Sequence, residues 1–237
     1  MDKRQIVFLS IVLTVIALVA FALYEEKIKP KQATLDQLVT EYILAKGETL
    51  PQTTENEPAY LSGRADLDNN GKQETFILMQ IDKYCDKQQC NAYLFDDKDK
   101  VIAKWKNIQR PVLLGNDTTD GWKNIILTTN DQMHIIKHNK TQYNQDMSKA
   151  PIYDDKDQAF EAVGLAIDSD YYQKDGTNLE LDYSQPIFDC QSCYLFSYEK
   201  FNADASQLYY LSVDVATKRV RTVEAPARLA ISNASDN

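Results

Sequence analysis

Asp66, Asp68, Asn70 and Glu74, in the stretch DLDNNGKQE, place oxygen-bearing side chains at alternate positions, with Lys72 filling the gap. Gly71 sits where such a chain must turn hard, a position that suits a residue without Cβ. Ca²⁺ is a hard cation that takes about six to eight oxygen ligands at flexible distances. The four side chains can offer such oxygens around one turn, and the Lys72 carbonyl completes the ring. Ile77 stands at the twelfth position, where an EF-hand needs a bidentate Glu, so the loop is not an EF-hand. With three carboxylates the affinity expected is weak, on the order of 10⁻⁴–10⁻³ M, as in extracellular modules. The competing reading is a metal-free polar turn, since Asp and Asn side chains bond their own backbone. Either way the loop fixes a β-turn. No nucleophile or water-activating pair stands beside it.

Cysteine is the second chemistry-bearing type. There are four, in two close pairs, Cys85/Cys90 and Cys190/Cys193. An even number in tight pairs predicts the disulfides Cys85–Cys90 and Cys190–Cys193, and hence an oxidising compartment. A redox C-x-x-C is disfavoured because DCQSCYLFSYE precedes a strand and follows no βαβ pattern. A four-cysteine zinc site would join pairs about 100 residues apart and is weaker still.

No assembled catalytic set is legible. His134 and His138, in MHIIKHNK, would suit zinc at helical spacing, but their neighbours put them on a strand, about 13 Å apart on one solvated face. No H-E-x-x-H, G-x-S-x-G, P-loop or G-x-G-x-x-G occurs. The many carboxylates single out no glycosidase dyad. The 14 tyrosines, by contrast, concentrate in DYYQ, CYLFSYEKF and LYYLS. Tyr is a preferred interface residue, so Tyr194, Tyr198, Tyr209 and Tyr210 are the candidate partner-binding residues. Ordinary strand composition is the alternative.

These groups need elements to hold them. IVFLSIVLTVIALVAFAL, residues 6–23, spans roughly 27 Å as a helix, enough for a bilayer core. It predicts an uncleaved transmembrane anchor over 1–24; a signal peptide cut after Ala20-Phe21-Ala22 is the rival. Residues 25–58 read as a linker and a helix, with Thr34 as N-cap and Gly47 as stop. Short runs rich in β-branched and aromatic residues then predict an antiparallel β-domain over 59–150. Its turns fall at Asp96–Lys100 and Asp120-Gly121. Residues 151–224 predict a smaller helix-plus-sheet unit, whose helix lays Ala159, Phe160, Val163, Ala166 and Ile167 on one face. A polar tail, 225–237, follows. The fold class is mainly β with α+β behind a transmembrane helix. The net charge is -9, which argues against nucleic acid and anionic membrane surfaces as partners.

The order ADLDNNGKQETFILM, CDKQQCNAYLF, RPVLLGNDTTDGWKNIILT, YNQDMSKAP resembles a group of bacterial envelope proteins. Their marks are a D-x-D-x-D-G-x-x-E loop, a cysteine-bridged hairpin, a Gly-Trp turn and a Tyr-Pro ending. The loop looks like the cation loops of integrin-type β-repeats, although Asn69 and Asn70 replace acidic or glycine residues common there. QLYYLSVDVATKRV is similar to PepSY-like modules, which accompany secreted proteases. One anchor plus a periplasmic body without a catalytic set looks like the membrane-anchored chaperones of type II secretion. The resemblance implies a single-pass inner-membrane protein with its body in the periplasm. It would be a non-enzymatic chaperone or accessory factor whose partner is a secreted or envelope protein, possessing a structural Ca²⁺. An envelope inhibitor of a hydrolase, or a hydrolase with an unrecognised site, is the alternative class.

Overall fold

The computed structural model describes residues 33–51, 58–86, 89–202 and 205–226. The expected anchor, the linker up to residue 32 and most of the polar tail lie outside them. Among the described residues no helix is long and apolar enough to cross a membrane. What is described is mainly β and antiparallel, as the strand pattern predicts.

The first unit is a meander. β1 (Tyr60–Ala65), β2 (Glu74–Met79), β4 (Gln89–Phe95), β5 (Val101–Thr119), β6 (Trp122–Thr129) and β7 (Gln132–Ile136) lie side by side in sequence order. The short β3 (Cys85–Asp86) pairs with β4. The turns carry the residues that their geometry demands. Asp120 and Gly121 have φ of 53° and 83°, and Asn130 and Asp131 have φ of 48° and 59°. Positive φ at both central positions is what a two-residue hairpin needs to match the twist of its strands. At the β4–β5 tip the Asp96 carboxylate accepts from the amides of Lys98 and Lys100.

β2, ETFILM, is buried along its whole length because both faces of the sheet are covered. Phe76 and Leu78 face one core with Leu67, Trp105, Ile108, Leu127 and Tyr143. Ile77 and Met79 face another, closed by Leu38, Val39 and Ile43. Those three belong to α1 (Leu35–Leu38) and the π-helical turn Val39–Ile43 that continues it. The capping expectation holds: the Thr34 hydroxyl accepts from the Gln37 amide and the Gln37 side chain accepts from the Thr34 amide. Gly47 follows with φ 89°.

The sequence run VIAKW covers only the start of β5. The strand continues to Thr119, pairing first with β4 and then with β6. Between Gln109 and Val112 the register slips, and Pro111 sits at that irregularity. A proline has no N–H to give the ladder, so this is where a strand tolerates one.

The second unit has α2 (Lys156–Ile167) and α3 (Asp170–Gln173) on a four-stranded antiparallel sheet. The sheet order is β12 (Arg219–Val223), β11 (Ala205–Asp214), β10 (Cys193–Asn202) and β8 (Gly176–Asp182). Ala162 and Ala166 of α2 are fully buried against Tyr194, Phe196, Tyr198, Leu211 and Val213. The helix face differs from the expected one. Ala159 and Val163 contribute to its edge, but Phe160 is 82% exposed and Ile167 is 40% exposed. Positions 159, 162 and 166 define the inward stripe at a 3.6-residue period, which leaves 160 and 167 pointing away.

The two units are stitched by residues 184–190. Ile187 and Phe188 lie in the core of the first unit, although the sequence places them in the second. β9 (Asp189–Cys190) runs parallel to β5 at Leu113 and Leu114. The Phe188 amide donates to the Val112 carbonyl at 2.8 Å, and the Arg110 guanidinium donates to the Ser184 carbonyl at 2.8 Å. Gly63 makes room for this strap: a Cβ there would lie 2.5 Å from the Ile187 carbonyl oxygen.

Candidate functional site

The acidic loop closes the β1–β2 hairpin, whose last pair is Ala65 opposite Glu74. It folds around its own backbone. Asp66 accepts from the amides of Asn70 and Gly71, at 3.1 and 2.9 Å. Asp68 accepts from the Asn70 amide and side chain, at 3.1 and 2.8 Å. Asn69 and Gly71 take positive φ, 59° and 85°. These are the Asx bonds expected of a polar turn. The loop also gathers charge. One carboxylate oxygen each from Asp66, Asp68 and Glu74 lies within 4.8 Å of the others. Ligands held about 2.4 Å from a shared Ca²⁺ cannot be farther apart than about 4.8 Å, and the three carboxylates meet that condition.

The remaining expected ligands are arranged differently. The Asn70 side-chain oxygen accepts from the Lys72 amide at 2.8 Å, and the Lys72 ammonium reaches out to Asp97 at 2.6 Å. That ion pair ties the loop to the β4–β5 tip. It holds Asp97 below the usual carboxyl range and Lys72 above the usual amine range.

Glu74 is 1% exposed. Burial pushes its carboxyl up, and the charges of Asp68 and Asp66 add to that. The Leu67 amide, donating to it at 2.7 Å, acts the other way. A buried carboxylate beside two others is an unfavourable arrangement without a cation. From Leu67 a chain of bonds runs inward. Its carbonyl accepts from the Lys123 amide at 2.7 Å, and the Lys123 carbonyl accepts from the Tyr143 hydroxyl at 2.6 Å. The acidic loop, the Gly-Trp turn and the YNQDMSKAP segment, spread along the sequence, therefore meet at one end of the sheet.

His138 belongs to this junction, and the solvated-face expectation fails for it. It is buried, stacks on Trp122 at 4.7 Å and meets Tyr143 edge-on at 5.3 Å. Desolvation lowers its pKa, partly opposed by Asp120, so the imidazole is held neutral. Its Nδ1 has no hydrogen-bond partner among the described residues. His134 is half-buried, with Nδ1 3.2 Å from the Ala150 carbonyl oxygen. Neither histidine joins a metal-type cluster among the described residues. The Gly-Trp dipeptide was the usable signal: a Trp beside a tight turn needs a flat partner.

Both disulfides form as the spacing predicts, Cys85–Cys90 within the β3–β4 hairpin and Cys190–Cys193 between β9 and β10. The second lies beside Asp189, whose carboxyl is pushed up by burial. It opens a strand rather than a helix, so it lacks the helix N-terminus that would stabilise a thiolate.

The tyrosine expectation is corrected at three of four positions. Tyr194, Tyr198 and Tyr210 are 5%, 1% and 4% exposed, and Tyr209 is half-buried. Tyr194 and Tyr198, four apart on β10, share the face under α2. The Tyr194 hydroxyl donates to Asp155 at 3.1 Å, and Tyr198 packs between Tyr172 and Tyr209. Their phenols are consumed inside the unit. The exposed large apolar side chains are others, among them Phe160, Phe201, Ile152 and Tyr183.

Comparison of the chain with protein-family models, curated proteins and solved structures finds no match.

Proposed function

We propose that the chain is a membrane-anchored periplasmic binding protein, acting as a chaperone or accessory factor for a secreted enzyme, with a Ca²⁺ held by Asp66, Asp68 and Glu74 as a structural ion. The observation that carries the reading is the pairing of a disulfide-bridged body with large apolar side chains left in solvent. Phe160 is 82% exposed and Phe201 70% exposed on the second unit. Disulfides accord with an oxidising compartment. Exposed aromatic side chains are the material of interface hot spots. The acidic loop supports the ion, because Glu74 is buried where its charge needs compensation.

The test is affinity purification of the full chain from envelope extract, followed by deletion of its gene. One secreted enzyme should co-purify, and its export or stability should fall on deletion. If the purified protein instead turned over a substrate, with activity lost on a single side-chain change, the reading would be wrong.

A further inference from the structure

The outward face of α2 bears an apolar stripe that none of the described residues covers. Phe160, Gly164 and Ile167 follow one another at helical spacing, all exposed, and exposed Tyr171 of α3 comes next in the chain. Along one flank of the stripe stand Asp157, Glu161 and Asp168, also exposed. Among the described residues none of the three carboxylates is in an ion pair.

Three features of this face cost the isolated chain stability. Asp157 and Glu161 are like charges four residues apart, which repel on a helix surface. Asp168 caps a last turn that has no basic residue, at the end where the helix dipole favours cations. Gly164 sits in the helix interior, where glycine is worse than alanine. Among the described residues nothing asks for it, since a Cβ there would meet no atom within 4 Å. Gly63 and Gly176, by contrast, are each pressed by a neighbouring residue. The notch between Phe160 and Ile167 is open to the backbone of a partner.

We propose that this face docks a basic amphipathic segment of a partner protein, with apolar side chains seated on Phe160 and Ile167, its backbone close over Gly164, and Lys or Arg opposite the three carboxylates. The proposal deepens the accessory-protein reading and rests on it for its partner.

The probe is a synthetic amphipathic Leu/Lys helical peptide, with a Leu/Glu peptide of the same pattern as its counterpart, titrated against the full chain. The Leu/Lys peptide should bind and the Leu/Glu peptide should not. Phe160→Ala and Glu161→Lys should each weaken binding about tenfold or more. Asp117→Lys, an equal charge change elsewhere on the surface, should leave it unaltered. Gly164→Ala should weaken binding while raising the melting temperature by about 2–4 °C, which separates a lost contact from a damaged fold. Unchanged binding in Phe160→Ala or Gly164→Ala overturns the proposal, as does an equal loss in Asp117→Lys. A dimer in sedimentation that Phe160→Ala dissolves would make a second copy the occupant and also overturns it. A secreted enzyme that still co-purifies with Phe160→Ala removes this surface and leaves the accessory reading standing. Absence of any such enzyme, with the peptide pattern intact, does the reverse.

Discussion

Calcium should act on stability through Glu74, and the effect has a calculable size and sign. Without a cation, Glu74 is buried beside Asp66 and Asp68 and its carboxyl is held above the ordinary range. An acid with a raised folded pKa favours the fold below its unfolded value, about 4.3 for Glu, and that contribution is lost as pH rises through the folded value. In chelator, the body, residues 25–237, should therefore gain stability at neutral pH on Glu74→Gln. With calcium the sign inverts, because the ion needs the anion. Three carboxylates place the dissociation constant on the order of 10⁻⁴–10⁻³ M. At 10 mM calcium, mass action then adds about 1.4–2.7 kcal/mol. For a chain of this length that is a rise of roughly 3–10 °C in melting temperature. Scanning calorimetry with calcium, with magnesium and with chelator measures it. The rise should shrink as the pH approaches that of carboxylate protonation and vanish in Asp68→Ala and Glu74→Gln. A wild-type protein indifferent to calcium, or a Glu74→Gln variant that responds equally, would refute the reasoning and leave the Asx turn alone.

The protein should remain membrane-bound through alkaline carbonate washing at full length; a soluble product beginning at Leu23 would mark a cleaved signal. Replacing Cys85 and Cys90 together by Ser should cost about 2 kcal/mol on the chain-entropy estimate, measured by denaturant titration, and no loss would show the bridge to be idle. Because His138 is held neutral by burial, it supports the fold above the unfolded His pKa, about 6.5. That support is lost as pH falls through the lowered folded value, so His138→Phe should flatten the acid limb of the stability profile. Gly63→Ala should destabilise by about 1–3 kcal/mol, since its Cβ meets backbone of the strap; a neutral result in thermal melts would mean that the strap moves aside freely.

What the sequence discloses best is local. Asp120-Gly121, the Asp96–Lys100 tip and the Thr34 cap are short-range devices, and each forms as its residues dictate. The same holds for the cysteine pairs and for the meeting of Asp66, Asp68 and Glu74. What escaped depends on contacts distant in the chain. β5 continues past Pro111 because β6 and β9 both pair with it, not because LLGNDTT reads as a strand. His138 looks solvated until Trp122 lies on it. Tyr194 and Tyr198 look adhesive because alternation alone does not say which face a helix will cover. Phe160 reads as inward because its neighbours are apolar; the buried stripe is made of alanines, which let α2 sit close to the sheet.

The strap through Ile187 and Phe188 has a consequence for how the body comes apart. Phe188 packs 5.4 Å from Phe76, at the centre of a core otherwise built from residues before 151. A chain cut near residue 150 would leave Phe76 facing water and Gly63 facing a gap, so the first half lacks part of its own core. Heat and denaturant should melt both sheets in one transition. Proteolytic nicking after Asp182 should release the two halves together rather than trimming one from the other. Any force applied to the second unit is thereby felt in the first, at β1, the strand that ends beside the acidic loop.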